Sequence, residues 1–480
     1  MRGLVGLSLG AAVALFVFVG IFGLTTAWWA ALAAALLAGG LTTFAVWTRR
    51  LVPLDEAAAP RALLILSALA TAAALVLLAR QAVFTVDPDE VGYSNLPSSE
   101  WEVRHSCLSA YHVAGEAASS QPNVYALELY RLPGQPPPGA AQKGKMIGPF
   151  RVDVYEYPPP FLVIPRALQL VTPEFLRLRM VWFALNCGLI LMATLVVASA
   201  LGETVGTRAL LYSPLLWLAL PTLSTLQKGN FQTMAIAGSM LAMALFQRRR
   251  FAIGGALLAL VTLSKLFPGL LGVYLLARRK WAPVVWTAAM GIVLVAISLA
   301  DIGWEPYRAF FAHLPGLVGG EAFPALTFPP AMAINLSVPG LVLKLQLFGI
   351  AGAGFGAAKI VGWIYTVVLL WVTLWTARRV RPGAEPLAWL ALLILATLRS
   401  PFLPAVYGVF PALWLLGLLA ASHTPTRKTL VLTIVAWIAL TVYVPVDTPI
   451  DPRWFAGLSL LAQISLVAVT VLGLRRACAA

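Results

Sequence analysis

The chain has 480 residues, 60% of them hydrophobic and only 11% charged, with a mean hydropathy of +0.85. Soluble domains carry roughly 45–50% apolar and about 25% charged residues, so these figures exclude an ordinary soluble enzyme, a disordered chain and a nucleic-acid-binding domain. They point to an all-α polytopic membrane protein. The net charge of +15 would suggest a nucleic-acid partner in a soluble chain. In a membrane chain it reads as the excess of Lys and Arg that cytoplasmic loops carry.

A membrane-crossing helix needs about 20 apolar residues. In chain order, the runs that qualify are 4–24, 27–47, 62–84, 178–201, 209–226, 230–247, 281–300, 357–377, 429–446 and 454–474. The first resembles a signal peptide. Its leading segment holds only Arg2 and no small-x-small site precedes Trp28, so it reads as a span. Basic clusters at Arg49/Arg50, Arg248–Arg250, Arg278/Arg279/Lys280, Arg378/Arg379/Arg381, Arg427/Lys428 and Arg475/Arg476 mark the inner face. Eighteen of the 34 basic residues fall on that predicted face, against four acids (Asp55, Glu56, Glu203 and Glu385).

Two stretches do not fit a simple count. Residues 251–277 and 386–421 have basic clusters at both ends, and a Pro-containing segment lies near the middle of each: Ser264-Lys265-Leu266-Phe267-Pro268 and Arg399-Ser400-Pro401. Both read as broken or re-entrant hairpins, because irregular backbone at membrane depth survives only where it is buried in protein or lines a cavity. Lys265 and Arg399 at their tips are functional-site candidates, because a cation facing lipid is costly. The organisation expected is therefore about ten full spans plus two broken hairpins. Residues 1–50 form an added two-helix hairpin, 51–421 a core with a structured outer loop over 85–175, and 422–480 a C-terminal two-helix hairpin. Both termini then face the cytoplasm of a plasma (inner) membrane. Fifteen of the 19 acidic residues lie in segments facing out.

The outer loop is too long for a connector and holds its own structure. Trp101–Ser119 predicts an amphipathic helix, with Val103, Cys107, Ala110, Val113 and Ala114 on one stripe. Residues 133–149 are Pro/Gly/Lys-rich and read as a loop. Asp153-Val154-Tyr155-Glu156-Tyr157 then runs into Pro158-Pro159-Pro160, a stiff turn, and the apolar run Phe161–Val171 predicts an interfacial segment. The three cysteines, Cys107, Cys187 and Cys478, are scattered and odd in number, so neither a disulfide framework nor a zinc site follows from them.

Several segments, in order, resemble glycosyltransferase family 87, polyprenol-dependent mannosyltransferases of the C-type superfold. They are Tyr111, Ala114 and Asn123-Val124-Tyr125; Tyr157-Pro158-Pro159 with Pro165; Val181-Trp182 with Asn186; Gly229-Asn230-Phe231-Gln232; Gly254/Gly255 with Lys265-Leu266-Phe267-Pro268 and Arg278-Arg279-Lys280-Trp281; Asn335-Leu336-Ser337; and Ser400-Pro401. The likeness covers roughly residues 62–421. Where the family has an Asp four residues before its outer-helix Tyr, taken as the catalytic base, this chain has Cys107. Where the family has Trp and His after Ser-Pro, this chain has Phe402-Leu403-Pro404.

The resemblance implies transfer of a hexose, mannose in the family's pattern, from a polyprenyl-phosphate donor to a lipid-linked or glycan acceptor on the outer face. Its expected partners are those lipids and glycans, not nucleic acid. Such a reaction needs a base, a site for the phosphate leaving group and a groove for the lipid tail. Lys265, Arg399 and Lys228 are the candidate cations for the phosphate, with Asn230 and Gln232 as neutral donors. Two or three convergent cations and amides would hold one phosphate without a metal, so neither metal nor cofactor is expected. The base candidates are Asp87, Glu156, His105 and Asp153, with Asp87 and Glu156 ranked first because acidic residues serve this role in the superfold. Asp89 and Glu102 are further acids of the loop. A free thiol, with a pKa of about 8.5, is a poor base, so Cys107 leaves two other readings open: a non-catalytic lipid-glycan-binding relative, or a lipid-glycan transporter.

Overall fold

A computed structural model describes residues 1–48, 54–131 and 145–478. The Arg49/Arg50 cluster and most of the Pro/Gly/Lys-rich stretch 133–149 lie outside the described residues. Seven described helices are long and apolar enough to cross a membrane: Arg2–Thr25, Trp28–Trp47, Arg61–Val86, Phe175–Ala200, Trp281–Ile302, Phe355–Arg379 and Pro452–Cys478. The pair Glu203–Leu218 and Leu220–Lys228, bent by 65°, passes the same length and apolarity test when taken together. The sequence read 209–226 as one straight span, but Pro221 cannot donate to the preceding turn and its ring crowds it, and Ala219 is extended. The other two expected spans are shorter helices, Gln232–Gln247 with 16 residues and Arg427–Thr441 with 15. The first of these is buried along almost its whole length, so protein surrounds it.

The first two helices pack backbone to backbone. A Cβ on Gly10 would come within 2.7 Å of the Gly39 carbonyl, and one on Gly39 equally close to the Gly10 carbonyl. Small residues permit this approach where apolar side chains gain nothing by leaving lipid. This hairpin lies against Phe175–Ala200, where the Arg177 guanidinium donates to the Gly23 and Leu24 carbonyls at 3.0 and 2.6 Å.

Both expected helix breaks are present. Phe251–Ser264 stops at Lys265, which is extended, and Gly269–Ala277 begins after Pro268. Glu385–Thr397 is separated from Ala405–Gly408 and Phe410–Ala421 by a segment that contains Pro401 and Pro404. That second segment is clamped by Asn335. Its side-chain N–H donates to the Pro401 carbonyl at 2.8 Å, and its side-chain oxygen accepts from Leu403 N–H at 2.9 Å.

The loop over residues 85–175 folds, in its described part, around a small sheet of three strands, β1 (His105–Ser106), β2 (Met146–Ile147) and β3 (Phe150–Val152), in the order β1-β3-β2. β1 runs parallel to β3, pairing His105 with Arg151 and Ser106 with Val152. The single amphipathic helix expected over 101–119 is therefore interrupted. A short helix Glu100–Arg104 leads into β1, and Cys107–Ala117 follows. The second helix is buried on every side from Cys107 to Gly115, including Ser109 and His112, because loop and bundle enclose it. The run expected at the interface becomes a turn of 3-10 helix, Pro159–Leu162, and the helix Val163–Val171, whose Leu170 and Val171 are exposed.

Candidate active site

The site begins with three places where the backbone is fixed. The parallel register carries one step past the strand ends, so Cys107 and Asp153 come side by side. The helix Leu220–Lys228 ends in a Schellman turn, with Asn230 N–H donating to the Thr225 carbonyl at 3.2 Å and Gly229 N–H to the Leu226 carbonyl at 3.1 Å. Gly229 sits there at φ +68°, and a Cβ would press on Leu108 at 3.0 Å. This turn aims Asn230 at the end of the loop helix. The third is Tyr157, before the prolines. Its hydroxyl accepts from Tyr111 at 2.7 Å and its carbonyl from the Tyr125 hydroxyl at 2.8 Å. The rings of Tyr111, Tyr157, Phe161, Trp182 and Phe231 pack on one another beneath it.

These pieces surround a cavity of about 1040 Å³, at the upper end of the size that takes a drug-sized ligand. Its polar lining includes His105, Cys107, Asp153, Glu156, Lys228, Asn230, Gln232, Lys265 and Arg399. Its apolar walls include Leu266, Phe267, Leu270, Val273, Leu314 and Leu317. Eight of the nine side chains singled out in the sequence thus meet at one cavity. The exception is Asp87, which is exposed at the end of Arg61–Val86 and accepts from Asp89 N–H at 3.1 Å. Its place at a span end, which suggested a catalytic role, makes it a turn residue outside the cavity.

The cations differ. Lys228 lines the cavity, but its ammonium is paired at 2.5 Å with Glu102, both side chains buried. Glu102 also accepts from the Ser224 hydroxyl at 2.6 Å and the Tyr443 hydroxyl at 2.5 Å. Lys228 therefore neutralises an internal carboxylate, whereas the other two cations expected at the phosphate have different partners. Lys265 has no acidic partner among the described ion pairs; its ammonium lies 4.9 Å from the centre of the Tyr157 ring. Arg399 donates to the Thr366 hydroxyl at 2.6 Å and lies 5.5 Å from the Trp363 ring centre. Asn230 donates to the Cys107 sulfur at 3.3 Å and caps the next helix by accepting from Gln232 N–H at 2.9 Å. Gln232 lines the cavity from the first turn of that helix.

The titratable groups of the loop are shifted mainly by burial. Burial pushes the Glu156 carboxyl well above the usual carboxylate range, the Asp153 charge adds to the shift, and Lys265 opposes it. Burial likewise raises Asp153 to about 6, against the hydrogen bond that its Oδ1 accepts from Val154 N–H. Burial and the positive charges of Lys228 and Arg151 hold His105 well below its ordinary value, as the neutral imidazole. The Cys107 thiol is pushed up to about 12, first by burial and then by Asp153, and so remains protonated. Cys107 faces His105 Nε2 at 3.6 Å and the Tyr407 hydroxyl at 3.1 Å, and His105 Nε2 also faces Asp153 Oδ2 at 3.6 Å.

Tyr407 and Tyr443 had no sequence signal. Tyr407 meets Cys107 across 300 positions and Tyr443 meets Glu102 across 341, and nothing in a run of apolar residues marks either. Several motif residues are structural. Asn186 accepts from the Thr233 hydroxyl at 2.8 Å, Gly255 allows close packing on the Trp286 backbone, and Arg278 donates to the carbonyls of Ala377 and Val380 at the end of Phe355–Arg379.

A multi-pass helical bundle with a structured loop that helps line a cavity of mixed polar and apolar walls defines the class: a polytopic membrane protein with a large internal cavity. A family model described as glycosyltransferase family 87 matches residues 155–404. That is just over half of the chain, which belongs to this family and is a membrane glycosyltransferase. No curated protein and no solved structure matches the chain. The matched range takes in Glu156, Lys265 and Arg399; His105, Cys107 and Asp153 precede it.

Proposed function

We propose that the protein transfers a hexose, mannose first among the candidates, from a polyprenyl-phosphate donor to a hydroxyl of a lipid-linked or glycan acceptor, with Glu156 as the general base. The observation that carries this reading is the shared cavity: a raised carboxylate, two cations with no carboxylate partner among the described ion pairs and a set of apolar side chains line one space. The donor phosphate sits between Lys265 and Arg399, with the Gln232 amide as a further donor, and the polyprenyl chain runs along Leu266, Phe267 and Leu270. Glu156 takes the acceptor's proton as the hydroxyl oxygen attacks the anomeric carbon. The bond from that carbon to the phosphate oxygen breaks, and the lipid phosphate departs carrying the charge that the two cations stabilise. The distribution of basic clusters supports a plasma-membrane protein with its loop outside and both termini in the cytoplasm.

The test is transfer by purified protein in detergent or vesicles, supplied with polyprenyl-phosphate hexoses and a glycolipid acceptor. Donor-dependent product from the wild type, at a rate at least about a hundredfold above that of Glu156→Gln, supports the reading. A folded wild type that transfers no sugar from any such donor overturns it.

A further inference from the structure

The geometry points to a second, unassigned site in the same loop: His105, Cys107 and Asp153 form a binding site for a divalent transition-metal ion of borderline softness, with zinc the best-fitting member. The inference rests on three side chains and stands whether or not the cavity transfers a sugar.

The first argument is convergence. The ligand atoms of the three residues lie within 4.8 Å of one another, and two separations are explicit: His105 Nε2 to Cys107 Sγ and to Asp153 Oδ2, each 3.6 Å. Zinc bonds of about 2.0–2.3 Å to nitrogen, oxygen and sulfur at tetrahedral angles place neighbouring ligands about 3.4–3.6 Å apart. The two separations from the imidazole match edges of such a tetrahedron, and the sulfur and carboxylate, within 4.8 Å of each other, would close on the ion to complete the third. They do not suit a nucleophilic triad, in which the imidazole turns one nitrogen to the thiol and the other to the carboxylate. Here the same ring nitrogen faces both.

The second argument is support around the ligands, which metal sites need to hold orientation. The Trp101 ring stacks on His105 with centres 4.3 Å apart. Val154 N–H holds Asp153 Oδ1 at 2.9 Å, which leaves Oδ2 toward the cluster, and Asp153 N–H donates to Ser109 Oγ at 2.9 Å. The Asn230 amide donates to the sulfur at 3.3 Å. The parallel register of β1 and β3 sets the spacing itself.

The third argument is charge. A thiolate, a carboxylate and a neutral imidazole balance a dication inside a largely buried cluster, and buried charge persists only when balanced. Binding displaces the thiol proton to solvent with no change in oxidation state. Three protein ligands leave one position open to the cavity that all three line, the arrangement of a zinc centre that accepts a substrate oxygen.

The test uses tag-free, full-length protein in detergent, stripped with chelator and titrated with cobalt(II). The expected result is a one-to-one complex with a sulfur-to-cobalt charge-transfer band in the near ultraviolet and strong visible bands of a four-coordinate ion, both removed by zinc. Cys107→Asp, which leaves Cys187 and Cys478 in place, should keep the visible bands and lose the charge-transfer band. His105→Ala should weaken binding by more than the roughly 10–100-fold that loss of an outer hydrogen-bonding partner costs. A folded wild type with no charge-transfer band, or a band that survives Cys107→Asp, overturns the site. Sugar transfer is not the readout, so the two proposals fail separately.

Discussion

At the scale of single residues, burial separates the loop's carboxylates by environment. A carboxylate lifted toward neutral pH is a better base than one in water, as long as the working pH leaves it ionised. Glu156 and Asp153 are raised by burial, and of the two Glu156 is the proposed base; Asp87 is exposed outside the cavity. Glu156→Gln should lower kcat by about 10²–10⁴-fold, the usual worth of a positioned base, with an unchanged unfolding temperature. Asp87→Asn should leave the rate unchanged. The sign of the pH effect follows: Glu156 acts when deprotonated, so the rate falls on acidification, with a midpoint above the ordinary carboxylate value of about 4.3. A profile whose acid limb lies at or below that value would remove Glu156 from the role. Lys265→Met, which takes a cation from the leaving group, should lower kcat/KM by about 10²–10³-fold, the cost of one transition-state donor.

At the scale of elements, the site is made by interruptions, and the sequence announces some more plainly than others. The breaks at Lys265 and at Arg399-Ser400-Pro401 were readable because a cation and a proline fall in an apolar run between two basic clusters. The bend at Ala219 was missed because hydropathy counts Pro221 as one weak residue in an apolar run, whereas its effect is on backbone geometry. The interruption of the loop helix at His105-Ser106 was missed because its cause, pairing with β3, lies 46 positions away. The Gly229 turn offers a direct test. Placing a side chain at its left-handed φ costs about 1–2 kcal/mol, and the new Cβ would crowd Leu108. Gly229→Ala should therefore lower the unfolding temperature in detergent and reduce activity together, since the turn aims Asn230 and Gln232. An unchanged temperature would show that the turn carries no strain.

At the scale of the whole molecule, the long loop is joined to the bundle by the buried Glu102–Lys228 pair, with Tyr443 and Ser224 completing the carboxylate's hydrogen bonds. Removing one partner of such a pair costs roughly 3–5 kcal/mol because the other charge stays buried and uncompensated, while removing both can be nearly neutral. Glu102→Gln should thus destabilise the protein strongly, and Glu102→Gln/Lys228→Met should recover much of the loss in thermal unfolding. Equal losses from the single and double variants would contradict the pairing. Composition alone placed the chain in a membrane, and ordered motifs pointed to the family. Charge and position could not distinguish Lys228, neutralised inside, from Lys265, because both are lone lysines in apolar surroundings. Nor could spacing reveal the His105–Cys107–Asp153 cluster, whose third member is brought in by the fold.

The central claim is that Glu156 and the cations at the two helix breaks form one sugar-transfer centre. Its most direct test is the initial rate of hexose transfer from a radiolabelled polyprenyl-phosphate donor in reconstituted vesicles, for wild type, Glu156→Gln and Lys265→Met side by side. The prediction is a donor-dependent wild-type rate that both substitutions reduce at least a hundredfold while the proteins stay folded; a wild-type rate that both variants retain would contradict it.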